Sequence, residues 1–371
     1  MQHTEKKQYT IGIDIGGTKM SAVLFDGEKI LADYALATPK DNLNHLLIML
    51  EALIEPLLDK ARDMKIKVKG IGIGAAGVID FKKQIIAKNS PNLEILNKIK
   101  LASLLEEKED LPVIMDNDAN CFVRAESALG AGKKYNNIYG VTIGTGIGGG
   151  WWINNKIYYG ASSGANEPGR FIMNMDAEEM ADLETIYQKL TQHNLFKTAQ
   201  EAYRGDILAE KVFNELGELF GIFLANIVNL IDPEVFIIGG GAAEASNLFI
   251  PKTKKIMKKH IMNPESRNTK ILKSKLGTEA GAIGAALLIV RRDLQLLDQP
   301  SNDIVGNFLM IGGDIVALGA VKIGLADFKR VFAKSKSDLL DHSLGPQNPL
   351  RAAKTAKRGI GNTVGFKRLG F

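Results

Sequence analysis

The chain has 371 residues, 45% of them hydrophobic and 24% charged, which is enough apolar material for about two to three globular domains and excludes a disordered or fibrous protein. A single cysteine, Cys121, excludes an intramolecular disulfide, and the polar start MQHTEKKQ has no apolar run to act as a secretion signal, so a cytoplasmic location is expected. The net charge of +5 is uneven: from Pro300 onward there are 11 Lys and Arg against 5 Asp and no Glu, leaving 36 against 37 in the rest.

Strands are predicted at Ile11–Ile15, Ser21–Phe25 and Ile30–Ala37, followed by a helix over Leu43–Asp63. That helix carries its apolar face on Leu43, Leu46, Leu47, Leu50, Ile54, Leu57 and Leu58, and Pro56 is expected to kink it. A buried strand, Val68–Gly74, runs into GAAGVID, then a loop with NSPNL, a helix over Leu101–Glu107 and a strand over Pro112–Met115. DNDAN follows at Asp116–Asn120, with a helix to Leu129. A hairpin over Gly149–Tyr158 turns at Asn154 and Asn155. Helices are expected over Met180–Thr191 and Ala209–Leu230, and strands over Glu234–Ile238 and Lys270–Lys275. The last element, Glu279–Val290, is a Gly/Ala helix suited to close packing or to a hinge. Beyond it, the nearest approach to a membrane span, Ile304–Val321, is broken by Asn307, Asp314 and several glycines, so no span is expected. The basic end, with RAAKTAKR and GFKR, lacks interleaved aromatics for stacking bases and reads as a solvated appendage, with no nucleic-acid partner expected. The order is that of a two-lobed α/β protein.

One phrase occurs twice. IGIDIGGTK at Ile11–Lys19 and YGVTIGTGIGGG at Tyr139–Gly150 are each a buried strand running into a glycine turn, which predicts two similar halves facing one cleft. Aligned on the strands, Asp14 falls where Thr142 lies. Turns without Cβ atoms let backbone N–H groups close on an anion, and two of them suit a triphosphate gripped from both sides. A third turn, IIGGG at Ile237–Gly241, is a candidate rest for a base or ribose.

Asp118 is the candidate catalytic carboxylate, because it comes just after a buried strand, where open α/β sheets place their ligands, and Asn117 and Asn120 flank it with neutral hydrogen-bonding groups. Phosphoryl transfer to an alcohol needs a base only to accept the hydroxyl proton as the bond to phosphorus forms. By itself, DNDAN reads more readily as an Asx turn or a helix cap than as a catalytic turn.

Taken together, IGIDIGGTK, GAAGVID, SPNL, DNDAN, GTGIGGG, NEPGRF, IIGGG and LGTEAGAIGAA, in order over about Tyr9 to Arg292, resemble the repressor, open-reading-frame and kinase (ROK) family of sugar kinases. The resemblance implies an actin-like ATPase fold, a duplicated ribonuclease H-like unit, here with a basic C-terminal extension. It implies ATP and Mg²⁺, a hexose or hexosamine substrate, and a homodimer. By position, Asp14, Gly16, Gly17, Thr18 and Lys19 look like the first phosphate loop, with Asp14 near the metal. Thr145 and Gly146 look like the second loop, and Gly239, Gly240 and Gly241 like the adenosine turn. Gly77, Asn92, Asn117, Glu167 and Glu184 match sugar contacts, and Asp118 matches the base. The expected division is a small lobe over 1–119 with the helix 279–292 packed back on it, a larger lobe over 120–298, and an extension over 299–371.

Two departures stand out. Arg170 occupies the place of a family histidine, and MNMDAEEMADLET, where a three-cysteine zinc loop is common, has neither cysteine nor histidine, so no Cys₃His zinc site is expected. Arg170 would either contact an anionic or N-acetylated acceptor or pair with Glu167 or Glu184. The expected activity is ATP-dependent phosphorylation of a hexose. Its rival is a sugar-binding protein that has lost turnover; a repressor is a weaker reading, with eight residues ahead of Tyr9 and no helix-turn-helix among them.

Overall fold

The architecture is given by a computed structural model that describes residues 7–87, 93–175, 180–192, 194–290, 308–311 and 314–317. The chain opens on an antiparallel meander of β1 (Tyr9–Ile15), β2 (Lys19–Phe25) and β3 (Ile30–Ala37). After helix α1 (Leu43–Asp63), which continues through Pro56, strand β4 (Val68–Ala75) joins the free side of β1 in parallel. A small hairpin, β5 (Ile79–Asp80) and β6 (Ile85–Ile86), and helix α2 (Leu101–Glu109) lead to β7 (Val113–Asn117), parallel to β4. The sheet order is β3-β2-β1-β4-β7. Strand β7 runs two residues past the expected Met115, because its pairing with β4 continues out to Ala75 opposite Asn117.

Helix α3 (Asp118–Ala128) leads into a second copy of the same plan. Strands β8 (Asn137–Ile143), β9 (Ile147–Ile153) and β10 (Lys156–Ile157) form the meander, with Asn154 and Asn155 at positive φ in the β9–β10 turn. There follow the hairpin β11 (Ile172–Asn174) and β12 (Ala181–Asp182), and helices α4 (Leu183–Thr191), α5 (Leu195–Tyr203) and α6 (Ile207–Ile231). Strand β13 (Val235–Gly239), helix α7 (Ser246–His260), strand β14 (Lys270–Lys273) and helix α8 (Ala280–Val290) complete the second half. Its sheet order, β10-β9-β8-β13-β14, repeats the first strand for strand. The central strands β1 and β8 are equivalent. Asp14 lies between Ser21 and Gly74, as Thr142 lies between Gly148 and Gly239. This duplication is the two-lobed actin-like ATPase fold.

Each half's last helix reaches the other half's sheet. Helix α3 packs on β8 and β9, where Val123 fills the space left by Gly140 and Gly150. Helix α8 packs on β1 and β4, where the paired Gly12 and Gly72 let its backbone at Ala282, Ala285 and Ala286 come so close that a Cβ on either glycine would collide with it. Overpacking such a contact costs about 1–3 kcal/mol. The small residues of α8 therefore serve close packing.

Helices α5 and α7 have no counterpart in the sequence reading. Pro251 inside α7 and its lysine-rich outer face hide a buried stripe of only Phe249, Thr253 and Met257, which lies along α6. Among the described residues, α6 alone is long and apolar enough to cross a membrane by length and composition, yet it is a core helix that buries Phe213, Leu216, Phe220, Phe223 and Leu224. The chain divides into units Met1–Asp298 and Gln299–Phe371, and in the second the described residues form the hairpin β15 (Phe308–Ile311) and β16 (Asp314–Ala317).

Candidate active site

The C-terminal ends of β1, β4, β7, β8 and β13 carry the three glycine turns, Gly77, Asn117 and Asp118, as expected where parallel strands leave a crevice beyond their carboxyl ends, whereas Glu167, Arg170 and Glu184 come from a 3₁₀ turn and helix α4. In the first turn, Gly16 N–H donates to the Lys19 carbonyl at 3.1 Å, and the Thr38 hydroxyl donates to the Gly16 carbonyl at 2.7 Å. Gly17 is half-buried beside them, and Thr18 and Lys19 are exposed.

The second turn closes with Gly144 N–H donating to the Gly146 carbonyl at 2.9 Å. Helix α4 holds it from behind with one face, at positions i, i+3 and i+4. Glu184 accepts from Ile147 N–H at 2.8 Å, the Tyr187 hydroxyl donates to the Gly144 carbonyl at 2.9 Å, and Gln188 Nε2 donates to the Thr145 carbonyl at 3.2 Å. Sequence reasoning missed Tyr187 and Gln188, although their helical spacing from Glu184 was available. In the third turn, Gly239 ends β13, Gly240 has φ +77°, and Gly241 begins a 3₁₀ turn, Gly241–Ala245. Any side chain on Gly240 would meet the backbone of Ile143.

The capping role in DNDAN falls to Asn117. Asn117 caps α3, its side-chain oxygen accepting from Asn120 N–H at 3.1 Å, while its Nδ2 donates to the Gly77 carbonyl at 3.0 Å. Asp118 is thereby left as the first helical residue, facing the cleft, with one oxygen accepting from Ala119 N–H at 2.9 Å. Asp116, two residues earlier, is buried. Its carboxylate accepts from Asn117 N–H at 2.8 Å, Asn120 Nδ2 at 3.0 Å, Arg124 Nη2 at 2.5 Å and the Tyr159 hydroxyl at 2.8 Å. Both members of the Asp116–Arg124 pair are nearly inaccessible, at 1% and 0% exposure. Tyr159 comes from the second half and stacks on Phe81 of the first at 4.8 Å. The strand-to-helix turn that aims Asp118 is thus tied to both halves by a buried polar cluster in which the Asp116 carboxylate accepts four hydrogen bonds, although Arg124 Nε within it is left without a partner among the described residues.

Glu126 performs a similar task farther along α3. Its carboxylate accepts from the Ser274 hydroxyl at 2.6 Å, Lys275 N–H at 3.0 Å and Leu276 N–H at 2.8 Å, fixing one wall of the cleft to the helix that carries Asp118.

Three carboxylates at the cleft are held above their ordinary values. Burial pushes Asp14 up to about 7, with the charge of Asp118 adding to it and Lys19 opposing. Burial also raises Asp118, with the Ala119 N–H opposing, and raises Glu167, where the Asp118 charge adds and Arg170 opposes. Burial is thus the common cause, and the Asp118 charge adds to it at both Asp14 and Glu167. Two carboxylates on the cleft floor, Asp14 and Asp118, offer the hard oxygen donors that suit Mg²⁺.

Glu167 precedes a 3₁₀ turn, Pro168–Arg170, that packs under the second glycine turn through Pro168 on Gly149. Arg170, 57% exposed, pairs with Asp182 at 3.1 Å and lies 3.8 Å from Glu184. Its closer partner is thus Asp182, which the sequence reading did not consider. Asn92 and residues 176–179 of the stretch without cysteine lie outside the described residues.

Two cavities adjoin in this cleft. One, of about 340 Å³, is lined by Asp14, Lys19, Asp118, Thr142 and Gly240 among others. The other, of about 380 Å³, lies beside Thr145 and is walled largely by Tyr187, Leu195, Phe196, Tyr203 and Ala242.

The sequence profile of the ROK family matches residues 10–292. The chain belongs to the ROK family. This ROK chain is 28% identical over 314 residues to a glucokinase of Streptomyces coelicolor, covering 75% of itself and 96% of that protein. It is 29% identical over 311 residues to a xylose repressor of Caldicellulosiruptor bescii, covering 76% of itself and 77% of the repressor. Among solved structures, the ROK glucokinase of Streptomyces griseus in complex with glucose and AMPPNP superposes with a TM-score of 0.65 at 28% identity, over 76% of this chain and 98% of that one. Relatives thus include both kinases and regulators.

Proposed function

We propose that this ROK protein is an ATP-dependent hexose kinase in which Asp118 is the general base. The observation that carries the reading is the placement of Asp118. It faces a cleft opposite Asp14 and between two glycine turns, with its capping duty taken by Asn117 and its backbone anchored through Asp116. A sugar-binding protein without turnover has no need of a freed carboxylate beside phosphate turns.

In this reading, the glycine turns at Gly16 and Gly144 receive the phosphates, and the apolar cavity at Phe196 and Tyr203 receives a flat base, as the nucleotide analogue bound by the Streptomyces griseus relative suggests. Asn117, Glu167 and Glu184, with the Gly77 backbone, border the acceptor sugar. Asp118 takes the proton from the attacking hydroxyl as the bond to phosphorus forms. Mg²⁺ carried in with the nucleotide would be held beside Asp14 and would supply positive charge to the phosphate oxygens. Its positive charge would also favour the ionised Asp14, which burial and then the Asp118 charge disfavour. Arg170 serves here as a brace between the Glu167 turn and the start of α4, through Asp182 and Glu184. A cytoplasmic location and a homodimer belong to the same reading.

The test is a panel of hexoses, hexosamines and their N-acetyl forms with ATP and Mg²⁺, followed by ADP release. Sugar-dependent ADP formation by the intact chain is expected. Sugar binding without ADP formation across the panel would favour a sensor over an enzyme.

A further inference from the structure

A nucleotide that keeps its phosphates at the glycine turns and its base in the apolar cavity must place its ribose where the two cavities meet. Only Gly241 and Glu244 line both, among the described residues. Gly241 offers only backbone, so Glu244 is the side chain at the junction. It stands on the 3₁₀ turn Gly241–Ala245 that follows directly from the third glycine turn, with its side chain 78% exposed. Lys273, the last residue of β14, donates from Nζ to Glu244 Oε2 at 2.8 Å and itself lines the phosphate-side cavity.

The chemistry of this pair suits a vicinal diol. A carboxylate has two oxygens that can accept from two adjacent hydroxyls, and hydrogen bonds to a charged acceptor are the stronger ones. A free carboxylate beside a triphosphate would repel it. The Lys273 ammonium offsets that charge on the phosphate side, leaving Glu244 as an acceptor without a net negative field.

We propose that Glu244, braced by Lys273, reads the 2′ and 3′ hydroxyls of the donor nucleotide, making it a specificity-determining residue for ribonucleotides. The proposal rests on the kinase reading, and it adds that the donor is selected by its sugar as well as by its base and phosphates.

The experiment is calorimetric titration of the full chain with Mg-ADP, Mg-2′-deoxy-ADP and Mg-3′-deoxy-ADP, repeated on Glu244→Ala, Glu244→Gln and Lys273→Ala. The unaltered chain is expected to bind ADP about tenfold more tightly than either deoxy form, the scale of one charge-assisted hydrogen bond. That preference is expected to fall to about one in Glu244→Ala and to be partly kept in Glu244→Gln. In Lys273→Ala the preference remains while affinity for all three weakens. Because Glu244 is 78% exposed and Lys273 about half exposed, melting temperatures should barely move, which separates this role from a structural one. A preference that survives Glu244→Ala, or no preference in the unaltered chain, overturns the proposal alone. Failure to bind any nucleotide overturns the kinase reading with it.

Discussion

Replacing Asp14 with asparagine should make the empty protein more stable while sharply lowering its activity. Asp14 is held at about 7, against an ordinary value of 3.8, chiefly by burial and then by the nearby Asp118. At about 1.4 kcal/mol for each unit, that displacement corresponds to about 4 kcal/mol as an upper bound. Asp14 keeps one side open to the cleft, where water screens it, and about 2 kcal/mol is a more fitting expectation. The sign follows from linkage. A carboxyl whose folded value is raised contributes its full stability below the unfolded value near 4 and loses it as pH rises through about 7, because ionisation is disfavoured in the folded state. Asparagine cannot ionise, so Asp14→Asn should match the unaltered chain near pH 4 and exceed it fully above pH 8. For a unit of 298 residues the gain is about 3 °C in Tm. Thermal unfolding at a series of pH values, without nucleotide or Mg²⁺, reads it. Sugar-dependent ADP release should meanwhile fall by about 10² or more, since charge at the phosphates loses its partner. A variant no more stable than the original at pH 8, or one equally stabilised at every pH, would refute the reasoning.

Asp118→Asn is expected to lower kcat by about 10² or more with sugar affinity within a few-fold, measured by ADP release and by sugar titration; near-normal turnover would remove Asp118 from the mechanism. Since burial holds the Asp118 carboxyl above its ordinary range, kcat/KM should fall on acidification at higher pH than for an exposed aspartate, in a pH–rate profile of the intact chain. Tyr187→Phe, which removes only the hydroxyl that holds the Gly144 carbonyl, should raise KM for ATP about three- to tenfold and leave KM for the sugar unchanged in steady-state assays. A chain ending at Asp298, the boundary of the first compact unit, should stay soluble and keep its kcat/KM; insolubility beside a soluble full-length chain would show that the remainder is required.

The sequence alone determined the elements whose signals are local. The two strand–glycine repeats announced the duplication because a phosphate-gripping turn needs backbone without Cβ, and because a strand with both faces buried is apolar throughout. Helix α1 was legible to its ends, since Asn42 caps it and leucines mark one face. Helix α7 was not, because Pro251 and its lysines mask a stripe of three buried residues. What only the tertiary structure decided depends on contacts between distant parts of the chain. DNDAN by itself reads more readily as a cap or Asx turn, and only the fold shows that Asn117 caps α3 and Asp116 gathers Arg124 and Tyr159 while Asp118 faces the cleft. Glu184, Tyr187 and Gln188 acquire a common purpose only when α4 lies behind the turn some 43 residues away from Tyr187. Glu244 and Lys273 are an unremarkable glutamate and lysine in sequence, and become a pair at the meeting of two cavities only because β13 and β14 run side by side. Turn and helix propensities act over a few residues, whereas a site is assembled from side chains that the sheets bring together, and no local signal records which ones will meet.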